Sequence, residues 1–244
     1  MRDNGIKTRR VRPLDTVAVP WGIALPVAVL FLFTLLAAFG QGILVNLLEG
    51  LVDARLVGVL WAGLGSPLLI LALVSAILFG VYRMAGSIGM GLSLKWIKAG
   101  LVGGVIAKAA TIVIGLLESP FAPEELTNNP LILVSEATES PAGWILIALG
   151  FGVVVPILEE LLFRAFLYLP VRQHLGVWWA VASTSLLFGA LHGHWAIALP
   201  MVAVGAIHAL LFEGTGSIAV PIVSHVFFNL TSLLAAFLLL THTG

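Results

Sequence analysis

From residue 17 onward the chain runs as long apolar stretches separated by short breaks of proline, glycine or charge. A helix rises about 1.5 Å per residue, so crossing about 30 Å of hydrocarbon takes about 20 residues. Stretches of this kind lie at 17–39, 57–82, 99–117, 142–170, 176–191, 196–212 and 217–240. The segment 41–56 sets Glu49, Asp53 and Arg55 among leucines and valines, as suits a helix at the membrane interface or part of an eighth crossing. Lipid offers the backbone no hydrogen-bond partners, so apolar runs of this length must satisfy themselves as helices. The pattern predicts an all-α protein, a polytopic transmembrane bundle of about seven to eight helices.

Composition leaves little room for anything else. Hydrophobic residues make up 60% of the chain and charged residues 10%, with a mean hydropathy of +1.11, so no sizeable soluble domain accompanies the spans. The formal net charge is zero, which provides no field for nucleic acid. Cysteine is absent, which removes disulfides, thiolate metal sites and a cysteine nucleophile. The tail holds Arg2, Lys7, Arg9, Arg10 and Arg12, and the apolar run behind it is too long for a cleaved leader and lacks a small-residue cleavage site. Arg83, Lys95 and Lys98 share one loop, whereas 118–141 carries five glutamates and no Lys or Arg. Positive loops face the cytoplasm, so the N-terminus and the loop 83–98 are expected inside and the acidic loop outside. The chain accordingly divides into a cytoplasmic tail at 1–16, variable spans at 17–141 and a core at 142–240.

Within that core, "PILEELLFRAFLYL" at 156–169 places charge in the middle of an apolar helix. Glu160 and Arg164 stand four apart with the acid first, the favourable order for an ion pair, while Glu159 is turned about 100° away. A charge at the bilayer centre costs at least about 2.5–3.5 kcal/mol, so an acid without that arginine needs a function. Pro156 lacks an N–H, frees the carbonyl of Gly152 in an α-helical register and bends the helix just before the acids. Downstream, Phe188 and His192 share one helix face, and His225 and Asn229 share another. These polar groups cannot face lipid and must converge inside the bundle. A carboxylate, two imidazoles and an amide provide what peptide-bond hydrolysis requires: a base for water and donors for the oxyanion.

The ordered set Glu159-Glu160-x-x-x-Arg164, Phe188-x-x-x-His192 and His225-x-x-x-Asn229 resembles the three motifs of the CPBP family. That family comprises type II CAAX prenyl endopeptidases (Ras-converting-enzyme-like) and bacterial abortive-infection and bacteriocin-immunity relatives. The stretch "FEGTGSIAVPIVSH" at 212–225 is similar to the family's Thr-Gly-Ser turn, and the match spans roughly 142–235. The resemblance implies an intramembrane endopeptidase in which Glu159 and His192 activate water, and His225 and Asn229 stabilise the oxyanion. Glu160, Arg164 and Phe188 would support the site structurally. It further implies membrane lipids and a peptide or protein substrate as partners, a C-terminally lipidated substrate being one form the family takes, and it suggests a prokaryotic plasma membrane.

Several other chemistries compete with this one. Zinc held by Glu159, His192 and His225 with an open position is the alternative to a cofactor-free mechanism. The absence of a His-Glu-x-x-His pair and of acids to orient the histidines favours the glutamate mechanism without metal. The aspartates are Asp3, Asp15 and Asp53, so an aspartyl dyad has no place in the core. Ser217 is not followed by glycine and reads as a helix cap rather than a nucleophile. A transporter, or a non-catalytic immunity or scaffold protein, would use the same Glu/His cluster to hold a proton, an ion or a segment. His194 reads as an interfacial residue, Glu213 as a loop or helix-end group, and His208 as a lesser candidate for a neighbour of the site.

Overall fold

The structure, a computed structural model, describes residues 14–31, 91–121, 141–192 and 195–243. The expected span 57–82, the segment 41–56, the later part of 17–39 and His194 lie outside the described residues. Every regular element among the described residues is a helix, as the hydropathy pattern predicts. Helical structure in the first apolar run begins at residue 24, after an irregular stretch at 17–22, so that run is not helical from its start. Pro20 accounts for this, since the residue before a proline is pushed out of the α region.

The remaining helices are α1 (Leu94–Glu118), α2 (141–175), α3 (Val177–Ala190), α4 (Trp195–Thr215) and α5 (Ala219–Thr243). The segments Leu94–Glu118, Gly143–Leu175, Ala196–Thr215 and Ala219–Leu239 are each long and apolar enough to cross a membrane. The stretch 176–191 contains α3, which is shorter than the four long helices. The 14 residues of α3 reach only about 21 Å, short of the hydrocarbon thickness.

Helices in lipid gain little from apolar burial against one another, so close packing and polar contacts hold them together. Small residues on α1 permit that approach. A Cβ at Gly100 would lie 2.6 Å from Val223 Cβ, and one at Gly104 would lie 2.9 Å from Ser224 O. Lys108 Nζ, one turn on, donates to Phe228 O at 3.0 Å and also reaches Ser232 Oγ. Position thus rises together on both helices, and α1 runs parallel to α5. The contacts Trp144–Phe237 and Gly152–Leu230 show that α2 runs antiparallel to α5. In the same way α3 and α4 form an antiparallel pair, with Gly205 against Ser185 and Gly189 against Ala198.

Helix α2 is not uniform. Gly150–Val154 and Leu161–Tyr168 are π-helical, and each π stretch ends two residues before a proline, Pro156 or Pro170. A proline ring collides with the carbonyl of the preceding turn, and the wider π turn relieves that collision. The missing amides leave carbonyls to be satisfied from elsewhere. Val155 N–H bonds Gly150 O, so in this register the amide due to Phe151 O would come from residue 156, a proline. Asn229 Nδ2 on α5 donates to Phe151 O at 2.8 Å instead. Near the second proline, Trp21 Nε1 donates to Phe166 O at 3.1 Å. The carbonyl that the structure leaves to a side chain near Pro156 is therefore that of Phe151, because the register there is π and not α.

One end of the bundle is tied by charge. Arg172 bonds Glu213 through Nε at 2.7 Å and Nη2 at 2.9 Å, Asp15 through Nη2 at 2.7 Å and Leu14 O through Nη1 at 3.1 Å. Tyr168 adds a hydrogen bond to Glu213 at 3.0 Å, and Gln173 Oε1 accepts from Val19 N at 3.1 Å. Leu14 is fully buried beneath this cluster. The last residues before the first span thus pack on the bundle, and Glu213, read in sequence as a simple helix-end group, anchors them.

Candidate active site

The site forms where the middle of α2 meets α4, the first turns of α5 and the end of α3. On α2, Glu160 and Arg164 make the ion pair that their spacing predicts, with Nε 3.0 Å from Oε2 and both side chains fully buried. The contact is electrostatic rather than an aligned hydrogen bond, for neither Arg164 Nε nor Glu160 Oε2 has a hydrogen-bond partner among the described residues, and Nη1 and Nη2 have none there either. The guanidinium lies instead near the rings of Phe163 and Phe188, at 5.9 and 5.7 Å, where aromatic faces partly replace lost water.

The other oxygen of Glu160 receives two imidazoles. His208 Nδ1 and His225 Nδ1 each lie 2.9 Å from Oε1. An ionised carboxylate only accepts, so both Nδ1 atoms carry the proton. That fixes how His225 is presented: its far nitrogen, Nε2, is turned to Glu159, 3.6 Å from Oε2. Glu159 is the less enclosed acid, with its side chain 26% exposed against 0% for Glu160. The two neighbouring glutamates are therefore divided as their helical angles predict, one locked in the core and one facing accessible space.

Phe188 sits at the centre of the cluster. Its ring packs edge-on against Phe163 at 5.1 Å and contacts His192 at 4.7 Å and His225 at 5.8 Å. His192 Nδ1 lies 2.7 Å from Phe188 O. A carbonyl cannot donate, so Nδ1 is the N–H and Nε2 keeps its lone pair. The motif partner that the resemblance assigns to Glu159 is His192, yet the imidazole in contact with Glu159 is that of His225. Asn229 spends one Nδ2 hydrogen on Phe151 O and retains the second.

Two residues were underweighted in the sequence. His208, read only as a lesser candidate for a neighbour of the site, is fully buried and bonded to Glu160. Lys108, unremarked among the apolar residues of α1, is held by α5 and lies 4.0 Å from the centre of the Phe228 ring. Both are ionisable groups inside an expected span, which is in itself a signal.

The donor set at the centre differs from the zinc alternative of Glu159, His192 and His225. Among the described residues, Glu160, His208 and His225 are the three that bring ligand atoms within 4.8 Å of one another. They fit a cation poorly. Both Nδ1 atoms already donate to Oε1, and the Arg164 guanidinium stands 3.0 Å from the same carboxylate.

Residues 141–231 match the family model described as type II CAAX prenyl endopeptidase Rce1-like. The matched region runs from α2 into α5 and contains Glu159, Glu160, Arg164, Phe188, His192, His225 and Asn229. This part of the chain is thus similar to a CAAX-type intramembrane protease family, and the apolar helices around it make the chain an integral membrane protein. No curated protein and no solved structure matches the chain.

Proposed function

We propose that the chain hydrolyses a peptide bond in a membrane-associated substrate, with Glu159 as the base that takes a proton from water. The observation that carries this is the pairing of Glu159 Oε2 with His225 Nε2 at 3.6 Å, while His225 Nδ1 is tied to a second, fully buried glutamate. One acid holds the imidazole and the other is free to react.

His192 offers an Nε2 lone pair because its Nδ1 is committed to Phe188 O. It assists Glu159 in orienting and deprotonating the water. As the carbonyl is attacked, negative charge grows on its oxygen, and donors already in place stabilise it without reorganising. Asn229 supplies its second Nδ2 hydrogen, and His225, carrying a second proton on Nε2 between the two glutamates, donates that N–H. No resident metal enters this scheme. The substrate is a hydrophobic segment or a lipidated C-terminal tail, since both reach a site built between apolar helices.

Charge at the two ends supports an orientation. Exposed Lys95 and Lys98 open α1, and the parallel and antiparallel packing puts them at the same end as Arg172. Glu118 closes α1 at the other end, where the acidic stretch follows. We assign the Lys95–Arg172 end to the cytoplasm. Purified protein in lipid, offered a peptide library, tests the function. Cleavage by the wild type that is lost in Glu159→Ala supports it, and equal cleavage by both proteins refutes it.

A further inference from the structure

We propose that His208, which lies outside the three motifs, is a positioning residue: sharing Glu160 Oε1 with His225 locks the carboxylate so that His225 Nε2 faces Glu159. The catalytic consequence rests on the endopeptidase function proposed above; the hydrogen bonding rests on geometry alone.

The carboxylate torsion of a glutamate is broad and roughly two-fold, so Glu160 does not hold its own plane. Arg164 contacts Oε2 through Nε at 3.0 Å but has two further donors, Nη1 and Nη2, without partners. If Oε1 had only the His225 bond, partial rotation of the carboxylate, away from the two positions in which its equivalent oxygens merely exchange, would turn Oε1 toward the guanidinium and weaken the His225 bond. The second imidazole opposes this rotation. His208 Nδ1 meets Oε1 at 2.9 Å, as does His225 Nδ1, and the two rings lie 4.9 Å apart at 44°.

A packing role alone does not account for this residue. His208 is fully buried and its Nε2 has no hydrogen-bond partner among the described residues. Burying an unsatisfied nitrogen is unfavourable, and an apolar side chain would fill the space without that penalty. What histidine adds is one N–H aimed at Oε1. Helix α4 holds it there rigidly, because Gly205 one turn earlier lets the backbone approach α3, with a Cβ at Gly205 only 3.1 Å from Ser185 Cα.

The test uses full-length protein in detergent micelles, with 15N-labelled histidine and a cleavage assay. Three proteins are compared: wild type, His208→Leu, and His208→Asn, whose side-chain Nδ2 stands in for the imidazole Nδ1–H. Wild type should show a proton on Nδ1 of both His208 and His225. In His208→Leu the His225 Nδ1–H signal should shift or broaden, and kcat should fall about 10–100-fold, as for other groups that orient a functional histidine, with KM nearly unchanged. His208→Asn should restore most of kcat and the His225 signal. Unchanged kcat in His208→Leu overturns the inference, as does a loss of kcat with the His225 signal intact, or an Asn variant no better than Leu. If His208→Leu does not fold, the wild-type spectrum decides, because a His208 without a proton on Nδ1 cannot donate to Glu160. If wild type cleaves nothing, the endopeptidase function fails, and the Nδ1 signals of the two histidines still decide the positioning claim.

Discussion

Asn229 on α5 donates to the carbonyl of Phe151 on α2 at 2.8 Å, opposite the amide that Pro156 lacks. The same side chain that carries the proposed oxyanion donor therefore also repairs a break in the helix bearing the acids. Its two hydrogens divide the tasks, and mutation can separate them. Asn229→Ala should lower kcat about 10²–10³-fold, as for other oxyanion donors, and lower stability by about 1–3 kcal/mol through the unsatisfied carbonyl. Adding Pro156→Ala to that variant returns a backbone amide. The double variant should regain melting temperature but not turnover. Recovery of both would make Asn229 a packing residue only.

Glu159 and Glu160 should respond oppositely to neutralisation. Glu160 holds Arg164 and two imidazole N–H groups in full burial. Removing one partner of a buried pair costs about 3–5 kcal/mol because the other charge is left behind. Glu160→Ala should thus unfold readily in a thermal melt. Glu159 has one 3.6 Å contact and partial exposure, so Glu159→Gln should melt like wild type while cleavage disappears. Similar loss of folding in both variants would end the division of roles between them.

How far the sequence carried depended on the kind of information each feature needs. The described spans α1, α2, α4 and α5 follow from uninterrupted apolar length, which is local. The Glu160–Arg164 pair follows from helical spacing, which is also local. The choice between His192 and His225 as neighbour of Glu159 depends on how α2, α3 and α5 cross, and no spacing along the chain encodes that crossing. The π stretches were hidden for a related reason. Pro156 announces a missing amide, but whether Phe151 or Gly152 loses its partner depends on a register that tertiary packing sets. Leu14 and Asp15 resemble any polar tail until Arg172, far along the chain, is seen to hold them.

Close approach of α1 and α5 predicts a contrast between two glycines of one helix. At Gly104 a Cβ would meet Phe227 Cδ1 at 2.6 Å and Ser224 O at 2.9 Å, and the backbone oxygen cannot yield cheaply. Gly104→Ala should lower stability by about 1–3 kcal/mol, the usual range for overpacking. At Gly115 nothing lies within 4 Å of the added carbon, and Gly115→Ala should leave the melt unchanged or raise it slightly. Equal effects at the two positions would mean that α1 and α5 do not pack as described.

Metal dependence separates two arrangements of the same histidines. In the proposed mechanism Glu160 accepts from Nδ1 of His208 and of His225, and Arg164 supplies the positive charge beside it. A zinc ion at that cluster would have to displace both protons and sit beside a guanidinium, an unfavourable exchange. Activity in detergent should therefore survive prolonged chelation, and purified protein should carry far less than one zinc per chain. The opposite result would be informative in detail. Activity lost on chelation and restored by zinc would replace the glutamate mechanism with a Lewis-acid one, and the histidine variants would locate the ion. Zinc lost in His208→Ala but kept in His192→Ala would place it on Glu160, His208 and His225. Zinc lost in His192→Ala but kept in His208→Ala would place it on Glu159, His192 and His225, where it would activate the water that the mechanism otherwise assigns to Glu159.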